Sequence, residues 1–200
     1  MSLIARSRSD SSIGEIADYL DGLDHATRLE KIYSLSAADQ MRLYEKAAGA
    51  PRLDLAYFVP SSVPDGREVV HYGKNSMPIF RMFQKRLCRP AGGRNELWGY
   101  NETVVRPWIG PGYFVAHETA AAGSDPRGAV VVDYFRVPDG PVVSGWPAVR
   151  PNRQGLQRFV YDQTRDYMRR ISAHVSIGIA WRKESRVMGT FVLCRQPDPA

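Results

Sequence analysis

Four histidines, His25, His71, His117 and His174, are the side chains of this chain whose ordinary pKa lies near neutrality, and they bound the chemistry open to it. No two stand four residues apart, and none lies at ligand spacing from Cys88 or Cys194, the two cysteines. A metal centre of the His/Cys type is therefore not encoded, and no cofactor is expected. His71, His117, Glu118 and Asp133 fall instead in apolar stretches of strand-like texture. A shared cavity would desolvate them, shift their pKa values and equip them for metal-free proton transfer of the lyase, isomerase or cyclase kind. Hydrogen bonding within a sheet is the structural role the same residues would otherwise take. No serine or cysteine has the setting of a nucleophile: Ser144 lies in the turn-rich SGWP, and Cys194 lies in the last apolar stretch, where a thiol is inert.

Polar groups also interrupt otherwise apolar faces. Period-2 alternation puts Trp98 and Tyr100 on one face of 96–103, Tyr113 and His117 on one face of 112–119, and Asp133 opposite Tyr134 and Arg136 within 129–137; Tyr161 follows in 156–162. Aromatic surface with a few convergent polar groups is how small-molecule pockets are built, so the expected ligand is a small, mostly apolar molecule. The same aromatics would equally fill a barrel core. Two loops, RPWIGPG at 106–112 and PDGPVVSGWPAVRP at 138–151, combine tryptophan with glycine and proline. Trp108 and Trp146 there would close an entrance, plug a core end or present a patch to a partner.

The elements that must position these residues change character near Pro51. Upstream, Ser12 and Glu15 form the S-x-x-E capping box ahead of Ile13, Ile16, Ala17 and Leu20 at helical spacing, and two further helical patterns begin after Asp24 and at Ser36. Residues 12–50 thus read as a helical cap, behind a polar tail, 1–11, that is expected to be disordered. Downstream, 53–59, 68–72, 96–103, 112–119, 129–137, 156–162, 174–181 and 187–195 read as strands between Gly-, Pro- and Asp-rich turns. The stretch 76–89 reads as a basic amphipathic helix, with Ile79, Phe80, Phe83 and Leu87 opposite Arg81, Lys85, Arg86 and Arg89; packing on its own protein is expected over lying on a membrane. Residues 163–172 suit a helical corner. About eight sequential strands close most simply into a barrel. The fold class is α+β, one domain over 1–200, with an N-terminal helical cap on an antiparallel, lipocalin-like β-barrel.

Composition agrees with an ordinary globular protein, 44% hydrophobic and 24% charged over 200 residues. No run approaches the roughly 18–20 apolar residues of a membrane-spanning helix, and the opening MSLIARSRSD has no apolar stretch behind its arginines. A cytoplasmic location is expected. The net charge of +6 arises entirely after residue 50, since residues 1–50 carry six basic and eight acidic side chains. Neither a groove-reading helix nor a stacking motif accompanies the arginines, so no nucleic-acid partner is expected. An arginine-rich face for an acidic partner is a third reading, behind ligand binding and acid/base catalysis.

The stretch VYDQTRDYMRRIS followed by HVSIGIAW and FVLCR resembles the end of bacterial lipocalin-like proteins named for a Gly-x-Trp-x-Gly motif, and is similar to the closing strands of plastid lipid-associated proteins. The matching positions are Tyr161, Asp162, Asp166, Arg169, Ile177, Gly178, Phe191 and Leu193, about a fifth of the chain; ELWGYNE at 96–102 stands where the naming motif is missing. The resemblance implies a calycin-type barrel holding an apolar ligand and carries over no catalytic residue.

Overall fold

The computed structural model of the chain describes residues 2–77, 81–119 and 125–197. Eight antiparallel strands form a closed barrel in chain order: β1 (Val69–Asn75), β2 (Met82–Cys88), β3 (Leu97–Glu102), β4 (Phe114–Glu118), β5 (Val130–Asp133), β6 (Thr164–Arg170), β7 (Val175–Arg182) and β8 (Arg186–Arg195). Closure comes from β1 against β8, with Gly73 opposite Leu193 and His71 opposite Arg195. Full closure leaves no unpaired edge. The α+β barrel expected from sequence is what the chain adopts.

Two strands stand where helix was expected. Met82–Cys88 pairs on both sides, with β1 and β3, so the basic amphipathic helix over 76–89 is replaced by a strand; its Ile79 and Phe80 lie outside the described residues. Thr164–Arg170 is likewise a strand between β5 and β7 and no helical corner. Conversely, 53–59 is not a strand: Asp54 accepts a hydrogen bond from Tyr57 N at 2.8 Å and starts a one-turn helix. Leu156–Phe159 is a 3-10 turn. The tail expected to be disordered contains α1 (Leu3–Arg8), capped by Ser2.

The cap consists of α1 with α2 (Ile13–Asp21), α3 (His25–Ser34) and α4 (Ala37–Lys46). The Ser12–Glu15 capping box is present, and Ser36 makes a second one with Asp39. Arg8 clamps Asp39 through Nε at 2.7 Å and Nη2 at 3.1 Å, which holds its carboxyl well below the usual carboxylate range and ties α1 to α4. Ile16, Leu20, Ile32, Leu35 and Leu43 from the cap pack on Val175, Ile177, Ile179, Val192 and Cys194, the outward row of β7 and β8. The helices therefore cover the outside of the barrel and leave both ends to other segments.

Those ends differ. The closed end, where β2–β3, β4–β5 and β6–β7 connect, is filled by α5 (Leu55–Phe58) and the turn after it. Leu53, Leu55, Phe58, Val59 and Val63 pack with the inward side chains Val69, Leu87, Leu97, Phe114 and Leu193. Arg89 fastens this plug by donating to the carbonyls of Val59 (2.7 Å), Pro60 (3.2 Å) and Val63 (3.0 Å). The open end carries the β1–β2, β3–β4, β5–β6 and β7–β8 connections, among them α6 (Arg106–Ile109) and the 3-10 turn. The long β5–β6 connection first descends over the outer face of β2–β4, where Val142, Val143 and Trp146 cover Cys88, Trp98 and Val115. Asn152 then returns it to the open end by donating to the carbonyls of Tyr113 (2.7 Å) and Tyr134 (2.8 Å).

Candidate functional site

Alternation of the strands decides what faces the lumen. Phe83, Lys85 and Leu87 of β2, Asn101 of β3, Tyr134 after β5, Thr164, Asp166 and Met168 of β6, and Phe191 of β8 point inward. Lys85 and Asp166 come from opposite staves and meet near the axis, with Nζ to Oδ2 at 3.0 Å, only 2% and 3% exposed. The lysine also donates to the Tyr134 hydroxyl at 2.5 Å and to Asn101 Oδ1 at 3.2 Å, so its three protons have three acceptors. Asn101 Nδ2 donates to the Tyr134 hydroxyl (3.0 Å) and to the Gly112 carbonyl (3.0 Å), and the Tyr134 hydroxyl donates on to Asp166 (3.3 Å). The rings of Phe114, Phe191 and Tyr134 stand 4.9, 5.0 and 5.1 Å from the ammonium, a cation–π surround that partly replaces water.

This polar belt divides the lumen. Below it the core runs into the plug; above it a cavity of about 80 Å³ opens toward the β5–β6 and β7–β8 connections. Its floor is Lys85, Asn101, Tyr134 and Asp166; Phe83, Phe191, Met188, Ala180 and Val160 supply apolar wall, and Tyr161 stacks on Tyr134 at 5.4 Å. At ~10–15 Å³ for each water-sized group, that space takes roughly five to eight non-hydrogen atoms. Glycine helps to open it: at Gly73 a Cβ would lie 2.6 Å from the Phe83 ring, and at Gly178 it would overlap the Phe191 ring. Both rings rest in hollows where other residues would put a methyl group.

Burial governs the electrostatics. Desolvation lowers the Lys85 pKa against the pull of Asp166, and raises that of Asp166 against the pull of Lys85; both groups are displaced toward their neutral forms. Tyr134 is pushed far above its ordinary value by burial and by the neighbouring Asp166. A buried ion pair of this kind holds its shape only while all its partners are present.

The residues singled out from sequence are distributed over both faces. Tyr134 and Tyr161 reach the cavity. His71 is inward but at the closed end, with Nε2 2.9 Å from the Phe58 carbonyl and a pKa lowered to about 4 by burial. Trp98 belongs to the cluster under the descending loop, where its indole donates to Glu96 at 2.9 Å. Tyr100 and Tyr113 flank Trp146 at 5.0 and 6.3 Å; their hydroxyls donate to Glu102 and to the Pro147 carbonyl, and burial raises the Tyr100 pKa to about 12. His117 and Arg165 approach Asp133 at 3.9 and 3.2 Å, and the hydrogen-bonding pull of Asp133 raises the His117 pKa. Arg136 pairs with Glu96 at 2.6 Å, and Glu118 ends β4, its carbonyl 3.1 Å from His117 Nδ1. The structure thus brings His117 to Asp133, with Glu118 beside them, on the outer wall, and leaves His71 apart at the closed end of the lumen, so the four do not share one cavity. Of the tryptophans expected at an entrance, Trp146 lies against the outer wall and donates to Glu68 at 2.5 Å, while Trp108 stands at the open end.

Sequence reasoning passed over Lys85, Asn101 and Asp166. The available signal was a charge at the middle of an alternating apolar row, Phe83-x-Lys85-x-Leu87 and Thr164-x-Asp166-x-Met168. A wider cleft of about 830 Å³ lies outside the barrel between 60–69 and the descending loop, but its charged residues, Arg67 and Glu68, are not gathered at a buried floor as in the lumen. Among the described residues no group of three or more histidine, cysteine or carboxylate side chains is placed to hold a metal ion, and no helix is long and apolar enough to cross a membrane. No protein-family model, no curated protein and no solved structure matches the chain.

Proposed function

We propose that the barrel binds a small, mostly apolar molecule in the cavity above the Lys85–Asp166 belt, held chiefly by the apolar wall of Phe83, Val160, Ala180, Met188 and Phe191. The observation that carries this reading is the union of an apolar wall and a buried polar floor in a lumen open at one end only. It accords with the calycin-type barrel implied by the C-terminal resemblance. The cavity's size favours short ligands, or one end of a longer molecule whose remainder lies across the mouth.

Titration with aliphatic ketones of four to seven carbons, followed by backbone NMR shifts, tests the proposal. Saturable shifts are expected at Ala180, Phe191 and Thr164, and Ala180→Leu, which fills the cavity, is expected to abolish them. Absence of shifts throughout the series, or shifts unaffected by the filled cavity, would remove the reading.

A second reading is favoured by one observation, the meeting of Lys85, Asp166 and Tyr134 at the cavity floor. Groups pushed toward neutrality in a desolvated site are suited to proton transfer, so the floor supports an acid/base role on a bound carbonyl compound. Ketone α-proton exchange in deuterated water, lost in Lys85→Met while ketone-induced shifts remain, is the outcome expected of it.

A further inference from the structure

The open end is set apart by what it exposes. Every large hydrophobic side chain that is exposed among the described residues belongs to it: Met82 and Val187 at strand tips, Val104 and Trp108 beside and on α6, Phe135 after β5, and Leu156 and Phe159 on the 3-10 turn. Val104 is 89% exposed, Trp108 73% and Phe159 62%. Among the described residues the closed end has none. A folded chain of ordinary composition scatters such residues singly; their confinement to one end marks a contact surface.

The charge around them is predominantly positive. Arg81, Arg153, Arg158, Lys183 and Arg186 border this end without a carboxylate at ion-pair distance among the described residues, whereas Glu102 and Glu184 there are neutralised by Arg106 and by Arg127 and Arg165. Among the described residues, Asp162 is the carboxylate of the rim that stands outside an ion pair. The apolar tips are also held in place. Arg106 bonds Glu102 at 2.8 Å across α6, the Gln157 side chain packs on Gly110, and Arg182 donates to the Phe159 carbonyl at 2.8 Å. Arg158 lies over the Phe159 ring at 4.7 Å, so apolar and cationic groups project together.

We propose that this end docks on an anionic lipid surface, with Trp108, Leu156 and Phe159 entering the head-group region and the rim arginines meeting the phosphates. Separate apolar tips ringed by unpaired cations suit a deformable apolar layer with negative head groups. Met82 and Val104 line a cleft of about 320 Å³ beside Tyr33 and Tyr72, while Trp108, Leu156 and Phe159 stand out as exposed tips. The surface is also the mouth of the cavity, so a molecule dissolved in the bilayer reaches the lumen without crossing water. Docking is separate from occupancy, and the two are read by different measurements.

Co-sedimentation of the full chain with vesicles of phosphatidylcholine and phosphatidylglycerol in equal parts, against phosphatidylcholine alone, is the test. Binding is expected to the mixed vesicles, to weaken with added salt, and to fall at least tenfold in Trp108→Ser/Phe159→Ser and again in Arg153→Glu/Arg158→Glu. Circular dichroism melts of the variants are expected to match the parent, so a loss reports the surface and not the fold. No binding of the parent chain to mixed vesicles, or equal binding by the variants, overturns the proposal. So does a concentration-dependent dimer in lipid-free buffer that Trp108→Ser/Phe159→Ser dissolves, which would place a second copy of the chain on this end.

Discussion

At the closed end Phe58 is 1% exposed beneath an arginine that grips three carbonyls, whereas at the open end Phe159 is 62% exposed with an arginine lying on its ring. The same two residue types do opposite work on the same barrel. The wall does not make the difference, since every strand pairs on both sides around the ring. It comes from what covers each end, the segment ahead of β1 drawn in as a plug at one and the strand connections left as exposed tips at the other. Cohesion is thereby concentrated at one end and access at the other, with the Lys85–Asp166 belt between them.

The largest expected effect falls on that belt. Asp166→Ala strands a buried ammonium and is expected to lose about 3–5 kcal/mol in urea denaturation, whereas Lys85→Met/Asp166→Leu recovers most of the loss; additive losses would mean the pair is not a unit. Phe58→Ala should cost about 3–5 kcal/mol through the cavity left in the plug. A loss below 1 kcal/mol would show that the closed end is not where cohesion resides. His71 gives the closed end a pH response. Its folded pKa, about 4, lies below the 6.5 of the unfolded chain. As pH falls from 7 the unfolded state takes up the proton first, so stability declines between about 6.5 and 4 and levels off below, by about 3 kcal/mol in all. His71→Asn should flatten that slope, and an unchanged slope would assign it to other groups. The smallest effect belongs to the open end, where Phe159→Ser and Trp108→Ser are each expected to stay within about 0.5 kcal/mol of the parent. A larger loss would turn the open end into a second plug and erase the contrast.

The helical cap was legible because its signals are local: serine caps followed by Glu15 or Asp39, then apolar residues at helical spacing. The barrel was legible in kind, yet two of the strands expected are helical turns and two real strands read as helix. Both real strands that escaped, β2 and β6, carry the buried pair. A charge facing inward at Lys85 or Asp166 breaks the apolar row by which a half-buried strand is recognised, and the outward arginines Arg86, Arg165 and Arg169 complete the disguise by imitating a helix's wet face. The elements hardest to read were thus those that hold the site. Face assignment failed for a related reason. Trp98, Tyr100 and Tyr113 are buried on the outside, under a loop whose descent over β2–β4 no local pattern announces, so burial there does not mean lumen.

Gly73 and Gly178 carry a consequence of another sort. Neither contributes a side chain to belt or plug, yet each decides how far a phenylalanine can lean back from the axis. Capacity in this barrel is therefore written partly in missing atoms. A single methyl added at Gly178 would overlap the Phe191 ring and meet Met168 Sδ at 2.6 Å, and a ring pushed inward by it would narrow the cavity. The length of the cavity and the polarity of its floor are thus set by different residues, the first by glycines in the wall and the second by Lys85, Asn101, Tyr134 and Asp166.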